Sequence, residues 1–151
     1  MPARAFRPDA FSRYDSGMEY GPHVDDALMM TGDQRMRSDI SFTLFLSAPE
    51  EYDGGELIIE TAGAEQPYKL PAGSLLFYPS TALHRVAPVT RGSRLVVASW
   101  MQSHVRSPEH REILFDLDTV RRALFQEKGK NREFDLITKS YANLLRLWAE
   151  T

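Results

Sequence analysis

Between residues 39 and 102 the chain is cut into short apolar runs, each closed by proline or glycine. Asp39 to Ser47 alternates, with Ile40, Phe42, Leu44 and Leu46 on one face and Ser41, Thr43 and Phe45 on the other. That period of two predicts a strand, though alternation leaves open which face is inside. Pro49 to Gly55 predicts a turn region. Further strands are predicted over Glu56–Thr61, Gln66–Leu70, Ser74–Tyr78, Leu83–Pro88 and Ser93–Gln102. Pro71-Ala72-Gly73, Pro79-Ser80 and Arg91-Gly92 punctuate them. Runs this short, at this spacing, exclude a helical bundle and predict a sandwich or barrel. We expect a double-stranded β-helix, a jelly roll of the cupin-like kind.

Upstream, residues 1 to 13 read as a lead-in segment, and Asp15-Ser16-Gly17 as a turn between extended pieces. Ala27 to Arg37, with Thr31-Gly32-Asp33, reads as a polar loop placed to lie over a site mouth. Downstream the periodicity changes. Ser107-Pro108 predicts a helix start, with serine as N-cap and proline at the first helical position. Ile113, Leu117, Val120 and Leu124 are expected to form its apolar stripe. A break at Glu127 to Asn131 leads to a second helix from about Arg132 to Glu150, with Phe134, Ile137, Tyr141, Leu144 and Trp148 along one side. The fold class is therefore mainly β with a C-terminal helical hairpin. The expected organisation is a single domain over 1–151, with a jelly-roll core at 1–106 and helices at 107–151.

Composition narrows the function classes. A net charge of -3 gives no general nucleic-acid surface. No apolar stretch has the length of a membrane span, and the first residues lack the apolar core of a secretory signal. The chain has no cysteine, which removes disulfides, thiolate metal sites and cysteine nucleophiles and suits a cytoplasmic location. A metal would have to be held by His, Asp or Glu, and there are only four histidines: His23, His84, His104 and His110.

His23 and Asp25 are two apart. On a strand they would share a face, with Val24 turned the other way into a packed layer. His84 is the expected third member. Two histidines and one carboxylate, with open positions left over, make the facial triad used by non-haem Fe(II) oxygenases. Arg94 begins the strand after the Thr90-Arg91-Gly92-Ser93 turn, which would return it close to His84 inside the barrel. A buried arginine needs an anionic partner, and its planar fork suits a carboxylate. Arg91 is the rival, but it precedes Gly92 in the turn and is expected in solvent.

His23-Val24-Asp25, Tyr52-Asp53-Gly54-Gly55-Glu56-Leu57 and the run from His84 through Pro88-Val89-Thr90-Arg91-Gly92 to Arg94 together resemble the bacterial PKHD-type hydroxylases. These belong to the prolyl 4-hydroxylase-like branch of the Fe(II)/2-oxoglutarate dioxygenases. Leu44-Phe45-Leu46-Ser47, Leu70-Pro71-Ala72-Gly73, Phe77-Tyr78-Pro79-Ser80 and Leu114-Phe115-Asp116-Leu117-Asp118 extend the resemblance from about Phe11 to the final helix.

The resemblance implies Fe(II) bound by His23, Asp25 and His84, with 2-oxoglutarate chelating the metal and its far carboxylate on Arg94. It implies dioxygen as reactant, succinate and carbon dioxide as products, and hydroxylation of a C–H bond on a small molecule or protein side chain. Ascorbate is implied as the reductant that keeps iron reduced, and Tyr14 as a neighbour of the cosubstrate. Family members carry a longer part before the H-x-D strand than the Met1 to Pro22 found here. A homodimer is one way to cover the sheet this would leave bare. The alternatives are a non-catalytic iron- or 2-oxo-acid-binding protein, as a sensor or inactive paralogue, and a cupin-type module with another metal.

The remaining candidates have plainer expectations. Thr43 and Phe45 are candidates for lining the pocket. Asp26 is a turn residue pointing away from Asp25. His104 and His110 belong to the surface or an interface, and Trp100 and Trp148 are packing anchors. Asp15, Asp53, Glu50 and Glu51 are solvated loop charges.

Overall fold

The computed structural model describes residues 3–31 and 34–150; side chains are described from Phe11 onward, apart from Thr31 and Gln34. The described residues divide into two compact units, one within 5–102 and a second formed by 103–150 with 3–4.

The first unit is built from two antiparallel sheets. One orders its strands β1 (Ala3–Asp15), β11 (Val89–Ser103), β5 (Ile40–Phe45) and β9 (Leu75–Pro79), with short β6 (Tyr52–Gly54) also on β11. The other runs β2 (Tyr20–His23), β10 (His84–Val86), β7 (Leu57–Thr61) and β8 (Ala64–Tyr68). Leu57, Ile59 and Val86 from the second sheet pack with Tyr78 and Leu76 from the first, so the apolar core lies between the sheets. This is the jelly roll that the punctuated runs predict.

Cross-strand register decides what faces that core. Ser41, Thr43 and Phe45 pair with Trp100, Ala98 and Val96 on one side. Ser41 and Thr43 pair with Tyr78 and Leu76 on the other. These residues share the inner face with Arg94, two positions before Val96. The serine-threonine face of β5 is therefore the inside one, with Ser41, Thr43 and Phe45 all buried.

Two glycines allow β6 to seat against β11. A Cβ at Gly92 (φ +73) would stand 2.0 Å from the Glu51 carbonyl oxygen, and one at Gly54 (φ +72) would stand 2.1 Å from that of Pro88. No other residue fits either place.

Three expectations are corrected. The lead-in segment is the long strand β1, paired with β11; Met1 and Pro2 lie outside the described residues. The expected loop over 27–37 is a hairpin, β3 (Leu28–Thr31) on β4 (Gln34–Arg37), while Gly32 and Asp33 lie outside the described residues. Its Met29 and Met36 are cross-strand partners and both are buried, whereas Leu28 and Met30 are exposed. The alternation was present, but in methionines and arginines, which read as polar loop. Within the turn region at 49–55, Pro49–Glu51 forms a 3-10 turn and Tyr52–Gly54 a strand.

The second unit is a helical hairpin, α1 (Pro108–Lys128) and α2 (Arg132–Trp148). The Ser107 hydroxyl accepts from the His110 N–H, and the Asn131 side chain accepts from the Phe134 N–H, so both N-caps are made by side chains. The stripe of α1 is turned from its expected phase. Leu114 is buried, Ile113 and Val120 are exposed, and only Leu117 and Leu124 remain half-buried. Arg111, three positions before Leu114 and on the same side of the helix, is buried with it, its guanidinium donating to the carbonyls of Val105 and Arg106. The expected side of α2 is half-buried throughout, and Trp148 stacks on His110 at 4.0 Å. Among the described residues no helix is long and apolar enough to cross a membrane.

Candidate metal and anion site

His23 and His84 are Cα partners across β2 and β10. Antiparallel pairing puts both side chains on one face, and their rings sit 4.2 Å apart between centroids. Each ring is oriented in the same way. His23 Nδ1 meets the Gly21 carbonyl oxygen at 2.8 Å, and His84 Nδ1 meets that of Ala82 at 3.0 Å. A carbonyl only accepts, so each Nδ1 carries the proton and donates it. Each Nε2 is left with its lone pair free for a metal.

Asp25 reaches the same point by a different route from the one its spacing suggests. Strand β2 ends at His23, and Asp25 lies in the irregular segment beyond it. Val24 is exposed rather than turned into a packed layer, and it borders the cavity. The carboxylate is nevertheless delivered, with Oδ2 at 3.9 Å from His84 Nε2. One donor atom from each of His23, Asp25 and His84 falls within 4.8 Å of the other two. Two neutral imidazole nitrogens and one carboxylate are a donor set that suits Fe(II).

The three donors open into a cavity of about 610 Å³ between the sheets, which Arg94 also lines. Arg94 is only 2% exposed, and its Nε has no hydrogen-bond partner. Its guanidinium lies 5.2 Å from the Tyr14 ring centroid and 5.8 Å from that of Phe45. Burial pushes its pKa down, countered by Tyr14, Tyr52 and Tyr78 around it. A buried guanidinium among aromatic rings, with no ion pair to a carboxylate among the described residues, has the chemistry to receive an anion. Arg91 is the opposite case, exposed and held by Asp53 at 2.6 Å.

Burial also sets the protonation of the surrounding groups. It lowers the His84 pKa, which keeps the ring neutral, as a ligand must be. It raises those of Tyr14, Tyr52 and Tyr78; Arg94 opposes the rise in all three, while the Asp25 charge adds to it at Tyr78. All three phenols are thereby held protonated.

Other expected residues fall into place around this core. Thr43 lines the cavity, Phe45 packs against Arg94, and Trp100 borders the cavity besides packing. Asp26 is exposed at the cavity rim. His104 and His110 belong to the helical unit. Asp15 accepts from Arg13 and Ser93, and Glu51 accepts from the Ala48 N–H, so these carboxylates are loop ties.

Spacing did not reveal Tyr52, Tyr78, Ser41 or Ser80. Tyr52 is fully buried with an unpartnered hydroxyl, and its carbonyl is held by Lys69 at 2.7 Å. Tyr78 packs edge-on against His84, centroids 5.0 Å apart. Ser41 and Ser80 hydrogen-bond behind Asp25. The available signal was a serine in the middle of an apolar strand, which calls for a buried partner.

Comparison with known proteins agrees with this geometry. The 2OG-Fe(II) oxygenase superfamily matches residues 10–102, and the PKHD-type hydroxylase C-terminal domain matches residues 109–150. A PKHD-type hydroxylase of Synechococcus sp. (strain JA-2-3B'a(2-13)) is 66% identical over 92% of this chain and 62% of its own length. One from Synechococcus elongatus is 63% identical over 93% of this chain and 63% of its own. The chain thus spans a little over three-fifths of the curated relatives it matches. Among solved structures, a Pseudomonas putida prolyl-4-hydroxylase matches with a TM-score of 0.54 at 29% identity, over 66% of this chain and 54% of that one.

Proposed function

The chain belongs to the 2OG-Fe(II) oxygenase superfamily, grouping with the PKHD-type hydroxylases, and we propose that it hydroxylates a C–H bond of a small molecule or protein side chain. In this reading His23, Asp25 and His84 hold Fe(II), and Arg94 receives the far carboxylate of 2-oxoglutarate. One observation carries it: donor atoms of His23, Asp25 and His84 lie within 4.8 Å of one another and share one cavity with the buried Arg94, whose Nε has no hydrogen-bond partner.

Fe(II) held by these residues would let dioxygen act as the oxidant, one oxygen atom going to the substrate C–H bond and the other to succinate as 2-oxoglutarate loses carbon dioxide. The chain's own residues bind and orient. The Gly21 and Ala82 carbonyls fix the imidazole tautomers. The Asp25 carboxylate offsets part of the metal charge. Arg94 gives a dicarboxylate a fixed far end, and Tyr14 and Phe45 keep water from its guanidinium. In the same reading ascorbate serves as the reductant that maintains Fe(II), and the protein acts in the cytoplasm.

The test is anaerobic Fe(II) reconstitution followed by oxygen, measuring conversion of 2-oxoglutarate to succinate by the parent and by His84→Ala. Succinate from the parent and none from the variant is the expected result. Equal succinate from both would overturn the assignment of His84.

A further inference from the structure

Asp25 cannot be steered as the two histidines are, because no backbone carbonyl can orient a carboxylate. Its support comes instead from two serines far away in sequence. The Ser41 hydroxyl donates to Asp25 Oδ2 at 2.5 Å, and Ser41 and Ser80 hydroxyl oxygens are 2.8 Å apart. Each serine has one proton. Ser41 spends its own on the carboxylate, so Ser80 must donate to Ser41. The direction of the relay, Ser80 to Ser41 to Asp25, is thereby determined. Ser41 is 1% exposed and Ser80 2%, so water does not compete for these bonds.

The far end of the relay is anchored too. The Ser80 N–H donates to the Asp39 carbonyl at 3.3 Å. Ser80 also sits in the tight turn closed by the Ala82 N–H on the Pro79 carbonyl at 2.9 Å. Ala82 is the residue whose own carbonyl holds His84 Nδ1. One short turn, residues 79–82, therefore steers two of the three donors: His84 directly, and Asp25 through Ser80 and Ser41.

We propose that Ser41 and Ser80 are positioning residues which hold the Asp25 carboxylate in its metal-ready orientation before any metal arrives. This rests on the reading of His23, Asp25 and His84 as a metal site. The single bond from Ser41 occupies one lone pair of Oδ2 and sets the carboxylate plane, leaving the remaining lone pairs for the ion. Without it the side chain is free to rotate toward solvent, and that freedom has to be lost again on each binding event. Removing an outer partner of a ligand typically weakens metal affinity by about 10–100-fold.

The experiment is anaerobic titration of the full chain with Mn(II), a redox-stable probe for an O/N site, read by calorimetry and by loss of the free-ion paramagnetic signal. Parent, Ser41→Ala, Ser41→Thr and Ser80→Ala are compared, with thermal melts of each metal-free protein as a check on folding. The expected result is a Kd raised about 10–100-fold by Ser41→Ala, raised less by Ser80→Ala, and largely restored by Ser41→Thr, which keeps the hydroxyl. If Ser41→Ala lowers the metal-free melting temperature, Ser80→Ala and Ser41→Thr carry the test. Equal affinity of Ser80→Ala and Ser41→Ala with the parent overturns the relay and leaves the metal site standing. A parent that binds no Mn(II) overturns the metal site, and the positioning role with it.

Discussion

His23 and His84 are paired across neighbouring strands, and each donates its Nδ1 proton to the carbonyl of the residue two before it. The repeat is local: the same two-residue backbone arrangement, made separately at Gly21 and at Ala82, presets each tautomer. Each ring is therefore held by its Nδ1 edge, with Nε2 at the opposite edge. Replacing either ring removes a donor outright. His23→Ala and His84→Ala should each lower Fe(II) affinity by more than about 100-fold, beyond what loss of an outer partner does. Anaerobic calorimetry measures this, and the metal-free melting temperature of His23→Ala should stay close to the parent's, because His23 is only half-buried.

Arg94 has a testable double character. Its Nε is buried and unpartnered, a situation that costs about 1–3 kcal/mol. Arg94→Met fills similar space without the charge. The cosubstrate-free variant should therefore melt at the parent's temperature or above it. In the same variant 2-oxoglutarate should no longer raise the melting temperature, and its KM should rise by about 30-fold or more. A variant that melts lower yet keeps its response to 2-oxoglutarate would show Arg94 to be a packing residue.

The rotated face of α1 separates two neighbouring residues. Leu114 is 3% exposed and Ile113 44%. Leu114→Ala should cost about 2–5 kcal/mol, while Ile113→Ser should stay within about 0.5 kcal/mol. Urea unfolding followed by helical circular dichroism checks both.

Three of the six tyrosines, Tyr14, Tyr52 and Tyr78, have pKa values raised mainly by burial. A raised folded-state value means that the folded protein keeps its protons after the unfolded chain would lose them. Stability from these phenols is whole below their ordinary value near 10 and declines as pH rises above it. Absorbance at 295 nm during alkaline titration should show these three ionising late, together with loss of the folded circular dichroism signal. Ionisation of all six in one early step would contradict the burial.

What could be read from the chain alone is what depends on near neighbours. The alternation in β5, the Ser107 cap, the break at Gly129 and the closeness of His23 to Asp25 are set within a few residues, where backbone geometry leaves few choices. Arg94 was picked out for the cavity by a route the structure corrects: residues 90–93 are not a turn but run inside β11, which does not pair with β10, and the crossing from one sheet to the other is what brings Arg94 to the cavity that His84 lines. Tertiary structure alone decided which face of β5 is inside, because burial depends on partners in β11 and β9. It likewise decided which side of α1 is buried, the place of Met29 in the cavity lining, and the exposure of Val24. Ser41 and Ser80 are the clearest case. They stand 39 residues apart, and nothing in either local sequence names the other as its partner. Their bond exists because strand pairing brings β5 beside the end of β9, where two hydroxyls removed from water must satisfy each other.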